Sequence, residues 1–219
     1  MEPVKSCKRT NRANNREVRH IMQGENARQA VGNIYHWMEI FCLSKWQFSI
    51  INIIEEILKQ TWTADVLIST WTAADAEIRK AETFLENSLI NKLHFIVDRS
   101  FETRQPRYFQ LLQEKFGDIV STTNSHAKFI TISNDNWKIV VRTSMNLNEN
   151  KRLENVEISD DLNLFEYLAM VSSDILKTEY SYFNFQKLGE DEKYKPFQKQ
   201  EDLSFDIQSF TMDETFKLD

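Results

Sequence analysis

Short runs of branched apolar residues, separated by amphipathic stretches, limit this chain to a few architectures. Ala64–Thr70 (ADVLIST) and Leu93–Val97 (LHFIV) each read as a buried strand. Ile119 and Val120 begin a third, and Val156–Ile158 reads as another. Between the first two, Asp75 starts a segment with Ile78, Ala81, Phe84, Leu85 and Leu89 at helical spacing. A helix is expected from Arg104, Arg107 and Tyr108 to Phe116, closed by Gly117. Upstream, Ile50, Ile53, Ile54, Ile57 and Leu58 form one face of a helix over residues 49–60. Downstream, Asp160-Asp161 opens a long helix carrying Leu164, Phe165, Leu168, Val171 and Ile175. Strands alternating with helices in this way predict an α/β sandwich, with ligands taken at the strand ends. Residues 29–48 are also expected to be helical, because Val31, Ile34, Trp37, Met38, Phe41 and Cys42 recur near helix spacing. His36 beside that stripe and His94 inside its strand are expected to be structural.

One segment departs from this alternation. Phe129–Ile132 and Trp137–Arg142 are both strand-like, and Asn134-Asp135-Asn136 between them supplies turn residues, so the segment predicts a hairpin. A hairpin sets the start of its first strand beside the end of its second. His126 and Lys128 share a face just before the first strand, and Ser144 and Asn146 follow the second. An imidazole, an ammonium, a hydroxyl and an amide gathered at one sheet end suit a phosphate.

In order, His126-x-Lys128, the hairpin, Ser144-x-Asn146 and then Glu154-Asn155 before an apolar strand resemble the motif of the phospholipase D superfamily, in its small single-motif nuclease form. Ser133 stands where that motif has Asp, Thr143 where it has Gly, and the hairpin is somewhat longer. The resemblance implies a phospholipase D-like α/β/α sandwich with a mixed central sheet, a leading helical extension and one motif per chain. It also implies a metal-independent phosphodiesterase, most simply a nuclease, that needs no cofactor. His126 would attack phosphorus to form a phosphohistidine. Lys128 and Asn146 would hold the non-bridging oxygens, Ser144 would donate to the phosphate, and Glu154 would orient His126. A second imidazole must protonate the leaving oxygen, and His20, His36 and His94 lie in no second H-x-K. A homodimer sharing the site across a two-fold axis follows from that requirement. The alternative is a fold of this kind kept as a nucleic-acid-binding or structural component of a larger assembly, with a weakened site.

The outer segments differ in composition. Residues 1–28 form a basic arm with Lys5, Lys8, Arg9, Arg12, Arg16 and Arg19, and the first four are candidate phosphate contacts. Arg142, Lys151 and Arg152 are candidates for a basic rim, and Arg99, Arg104 and Arg107 for a groove lining. Residues 29–187 are assigned to the α/β domain. Residues 188–219 are an acidic tail with Phe197, Phe205, Phe210 and Phe216 interleaved, suited to docking on a protein partner. The net charge of −6 rules out a uniformly basic coat but leaves room for a local basic site. Cys7 and Cys42 are the only cysteines, which fits a reducing, cytoplasmic setting and no zinc cluster. The apolar run from Trp46 to Leu58 is too short to span a membrane and ends in Glu55-Glu56.

Overall fold

A computed structural model describes residues 16–21, 25–45, 47–148 and 152–185, with side chains through residue 176. The strands are β1 (Arg16–His20), β2 (Glu39–Lys45), β3 (Ala64–Thr70), β4 (Ile90–Asp98), β5 (Val120–Thr123), β6 (Phe129–Ser133), β7 (Lys138–Thr143) and β8 (Leu153–Asp160). The helices are α1 (Ala27–Val31), α2 (Ile50–Thr61), α3 (Asp75–Glu86), α4 (Ser100–Arg104), α5 (Pro106–Phe116) and α6 (Leu162–Phe185). The strands join into one eight-stranded sheet in the order β1-β2-β8-β7-β6-β3-β4-β5.

The sheet is mixed, as the connections require. Helices cross between β3 and β4 and between β4 and β5, and those pairs are parallel. The β6–β7 hairpin, its return β8 and the junctions β2–β8 and β3–β6 are antiparallel. One row of side chains crosses six adjacent strands: Phe95, Ile68, Ile130, Val141, Ile158 and Ile40. All six are buried. They share the core with Ile53, Ile54 and Ile57 of α2, Ile78 and Phe84 of α3, and Leu112 and Phe116 of α5. On the opposite face, Lys138 of β7 reaches over the ring of Phe165, so α6 begins on that side. Asp161 caps α6 by accepting from the Leu164 amide at 3.1 Å. Among the described residues no helix is long and apolar enough to cross a membrane.

The hairpin turn is closed by one side chain. Asn134 Oδ1 accepts from the amides of Asn136 and Trp137, both at 3.0 Å. Its Nδ2 donates to the Thr61 carbonyl at 2.7 Å, which ties the turn to the end of α2.

The region before α2 differs from expectation. Among the described residues there, only Ala27–Val31 is helical, and Glu39–Lys45 forms β2 rather than a helix. Ile40, Cys42 and Ser44 are buried while their neighbours are more open, which is the period of a strand. The apparent helical stripe arose because two-residue and four-residue spacings coincide at Met38 and Cys42. Trp37, counted in that stripe, is 69% exposed. Burial pushes the Cys42 thiol up to about 11, so it is not a nucleophile at neutral pH.

Part of the basic arm also belongs to the sheet. Residues 16–20 form edge strand β1, parallel to β2. Arg19 donates to the Ala30 carbonyl at 3.0 Å and pairs with Glu17 at 2.5 Å. Its guanidinium lies over Gly32, where any Cβ would collide with it and where φ is +58°. Lys5, Lys8, Arg9, Arg12, Cys7, Lys151 and residues 188–219 lie outside the described residues.

Candidate functional site

The antiparallel register around β6 brings several chain ends to one edge of the sheet. The first residue of β6, Phe129, pairs with Ser69 near the end of β3 and with Arg142 near the end of β7. Thr143 in turn pairs with Val156 near the start of β8. His126, Lys128, Ser144, Asn146 and Glu154 all lie at this edge. So do Trp71, just after β3, and Asp98, at the end of β4.

His126 is exposed, but the backbone on either side of it is fixed. The Ser125 amide donates to Asp98 Oδ2 at 3.1 Å. The Ala127 amide donates to Ser125 Oγ at 3.1 Å, and the Ala127 carbonyl accepts from Ser69 Oγ at 3.0 Å. The imidazole packs against Trp71, with ring centroids 5.0 Å apart and planes tilted by 59°. Lys128 Nζ donates to the His126 carbonyl at 2.9 Å and lies 3.2 Å from His126 Nδ1. Among the described residues no hydrogen bond engages Nε2. Burial draws the Lys128 pKa below the ordinary lysine value, and the charge of Glu154 only partly opposes it.

The second half of the site is tied down as closely. Glu154 is buried and accepts a hydrogen bond from Ser144 Oγ. Ser144 Oγ in turn accepts from the Asn155 amide at 3.0 Å. Thr143 donates through Oγ1 to the Asn155 carbonyl at 2.7 Å and accepts from the Met145 amide at 2.9 Å. The Leu147 amide donates to Thr70 Oγ1 at 3.1 Å, which anchors the segment to the end of β3. Asn146 Oδ1 is buried without a hydrogen-bond partner. An acceptor oxygen buried without a partner is suited to a hydrogen-bond donor on an incoming ligand.

Asp98 opens a network that sequence reasoning missed. Burial works against its ionisation, but hydrogen bonds from Ser100 and Ser125 and the charge of Arg104 outweigh it. Its pKa falls below the usual carboxylate value. Ser100 Oγ also accepts from Arg104 Nε at 2.9 Å. Arg104 Nη2 donates to the Trp71 carbonyl at 3.0 Å, and the guanidinium carbon sits 3.5 Å from the Trp71 ring centroid. The usable signal was positional, since Trp71 and Asp98 fall at the carboxyl ends of adjacent parallel strands.

The proposed basic rim is placed unevenly. Arg142 is paired with Glu157 on the neighbouring strand, so its charge is engaged within the sheet. Arg152 is exposed. Among the described residues no group of three or more His, Cys, Asp or Glu side chains is placed to hold a metal ion.

Searches against protein families and curated proteins return no match to this chain. Solved structures with a similar fold include polyphosphate kinase from Porphyromonas gingivalis (10% identity, 63% of this chain, TM-score 0.47). This chain spans about a quarter (26%) of the length of that kinase. A phospholipase D family member, Nuc from Salmonella typhimurium, shares 16% identity over 65% of this chain and 93% of its own, with a TM-score of 0.45. NucT from Helicobacter pylori shares 13% identity over 64% of this chain and 96% of its own, with a TM-score of 0.46.

Proposed function

We propose that this chain is a phospholipase D-like phosphodiesterase that cleaves nucleic acid without a metal, through a covalent intermediate on His126. The observation that carries this reading is the fixed pairing of His126 and Lys128 beside the Ser144–Glu154 bond. Nε2 is the open ring nitrogen, and attack through it uses the tautomer in which Nδ1 carries the proton and Nε2 the lone pair. In the first step the Nε2–P bond forms and the bond from phosphorus to the leaving oxygen breaks. Lys128 and the Asn146 amide stabilise the charge on the non-bridging oxygens. Ser144 gives its one O–H to Glu154 and accepts from the Asn155 amide, and so holds the Ser144–Asn146 segment in place beside the phosphate. Water then attacks phosphorus, the N–P bond breaks, and the imidazole is restored.

The leaving oxygen needs a proton, and the chain's other histidines lie elsewhere. His20 is in edge strand β1 and His94 is inside β4. His36 is bonded through Nδ1 to Asp160, at 3.1 Å, at the opposite end of the sheet. A second copy of the chain supplies its own His126 as the acid, and the site is complete only in a homodimer. Open apolar side chains near the site and on α6 support such a pairing: Leu153 is 60% exposed and Tyr167 44% exposed. In this reading the N-terminal basic segment and Arg152 add phosphate contacts, and the acidic C-terminal segment docks a protein partner. The protein works in the cytoplasm.

The test is cleavage of labelled single- and double-stranded DNA and RNA in excess EDTA, with the oligomeric state recorded on the same sample. EDTA-resistant cleavage by a dimer is expected. Cleavage by a monomer contradicts the shared site. Salt-sensitive binding without cleavage supports the second reading, a phosphate-binding module.

A further inference from the structure

Arg104 is an exposed arginine whose guanidinium is engaged on its face and at two of its nitrogens. Its guanidinium is stacked 3.5 Å from the Trp71 ring centroid, and its Nε and Nη2 are both committed, to Ser100 Oγ and the Trp71 carbonyl. No carboxylate pairs with it among the described residues. A long exposed side chain loses considerable rotamer freedom in such an arrangement. The nearby carboxylate, Asp98, is reached through Ser100 Oγ rather than by a direct ion pair, which leaves the guanidinium plane on Trp71.

What the arrangement produces is a flat, cationic, solvent-facing surface next to the reacting centre. Trp71 touches both Arg104 and the His126 imidazole. The three groups therefore form a continuous line from the solvent-facing guanidinium to the nucleophile. A phosphodiester seated at His126 and Lys128 has its flanking nucleoside within reach of that line. Planar guanidinium and aromatic faces are the groups on which nucleobases stack, and they accept any base. A base inside a duplex already has both faces covered by its neighbours, so only an unpaired base can use the platform.

We propose that Arg104 stacked on Trp71 is a nucleobase platform flanking the scissile phosphate, and that it directs the site to unpaired strands. The proposal rests on the nucleic-acid reading of the His126 site and adds the part of the substrate next to the phosphate.

The test separates the two. Affinities are measured for two single-stranded oligonucleotides that differ only in whether the residues flanking the central phosphate carry bases or are abasic. The His126→Asn variant is used so that neither strand is cut. The base-bearing strand is expected to bind about tenfold more tightly. Adding Arg104→Lys keeps the charge but removes the planar face, and the ratio is expected to fall toward one. Because both strands are titrated on the same protein, a general loss of folding or of phosphate affinity cancels from the ratio. A ratio near one with Arg104 intact, or a ratio unchanged by Arg104→Lys, overturns the platform. Wild-type cleavage of the same strands is followed in parallel. An intact ratio without cleavage keeps the platform and removes turnover, and cleavage with a flat ratio does the reverse.

Discussion

Replacing His126 with alanine is expected to lower phosphodiester cleavage by about ten-thousand-fold or more, the scale seen when a covalent nucleophile is removed. The reason is structural as well as chemical. The backbone around His126 is anchored through Ser69, Ser125 and Asp98, so the imidazole is presented at one place on the sheet edge. No other imidazole of the chain shares that edge. Lys128 cannot substitute, because its ammonium carries no lone pair and its position suits it to bind oxygen. In a homodimer the change removes both the nucleophile and the acid, so the loss should exceed that from truncating Lys128 alone. The side chain is exposed, so the unfolding midpoint of the variant should stay near that of the wild type. A residual rate above about one per cent of wild type, measured under single-turnover conditions, would place the nucleophile elsewhere.

The second large effect concerns stability. Phe95→Ala is expected to cost about 3–5 kcal/mol, read as a lowered urea midpoint at unchanged slope. Phe95 is fully buried in β4, with Ile68 and Val120 as its register partners in the flanking strands. Its ring lies 4.9 Å from that of Phe116, at 48°. Removing it opens a cavity between sheet and helix that α5 cannot fill without moving. Against a typical total of about 5–15 kcal/mol, that is a large fraction of the stability. Because β4 ends in Asp98, the same variant should also loosen the anchor beside His126. A loss below about 1 kcal/mol would mean that Phe95 is not packed between the sheet and α5 as described.

The α/β class was legible because its strongest signals are local. The β3–α3–β4 unit showed two β-branched runs around a clear helical period, and the hairpin was marked by Asn134, whose side chain closes the turn. Strand β2 was hidden because alternate burial at Met38, Ile40 and Cys42 overlaps with helical spacing over so short a run. Strand β1 was hidden because an edge strand needs little hydrophobicity, and residues 16–20 are mostly charged.

The site was legible to the extent that its groups flank the hairpin. The sequence could not show that Trp71 and Arg104, separated by the whole of β4 and its preceding helix, meet beside His126. Nor could it weigh its own departures from the motif. Ser133 ends β6 five positions beyond Lys128, roughly 16 Å away at strand spacing. It sits at the end of the strand remote from the phosphate groups. Thr143, in the glycine position, uses its hydroxyl to bond the Asn155 carbonyl and the Met145 amide, and so helps to set Ser144 in place.

The most direct test of the central claim is to trap the intermediate. Wild-type protein is mixed with a labelled phosphodiester strand, quenched in alkali within the first turnover, digested and analysed by mass spectrometry. A strand-derived phosphoryl adduct on the peptide containing His126 is the predicted result. Turnover without any adduct, or an adduct on a different residue, would contradict it.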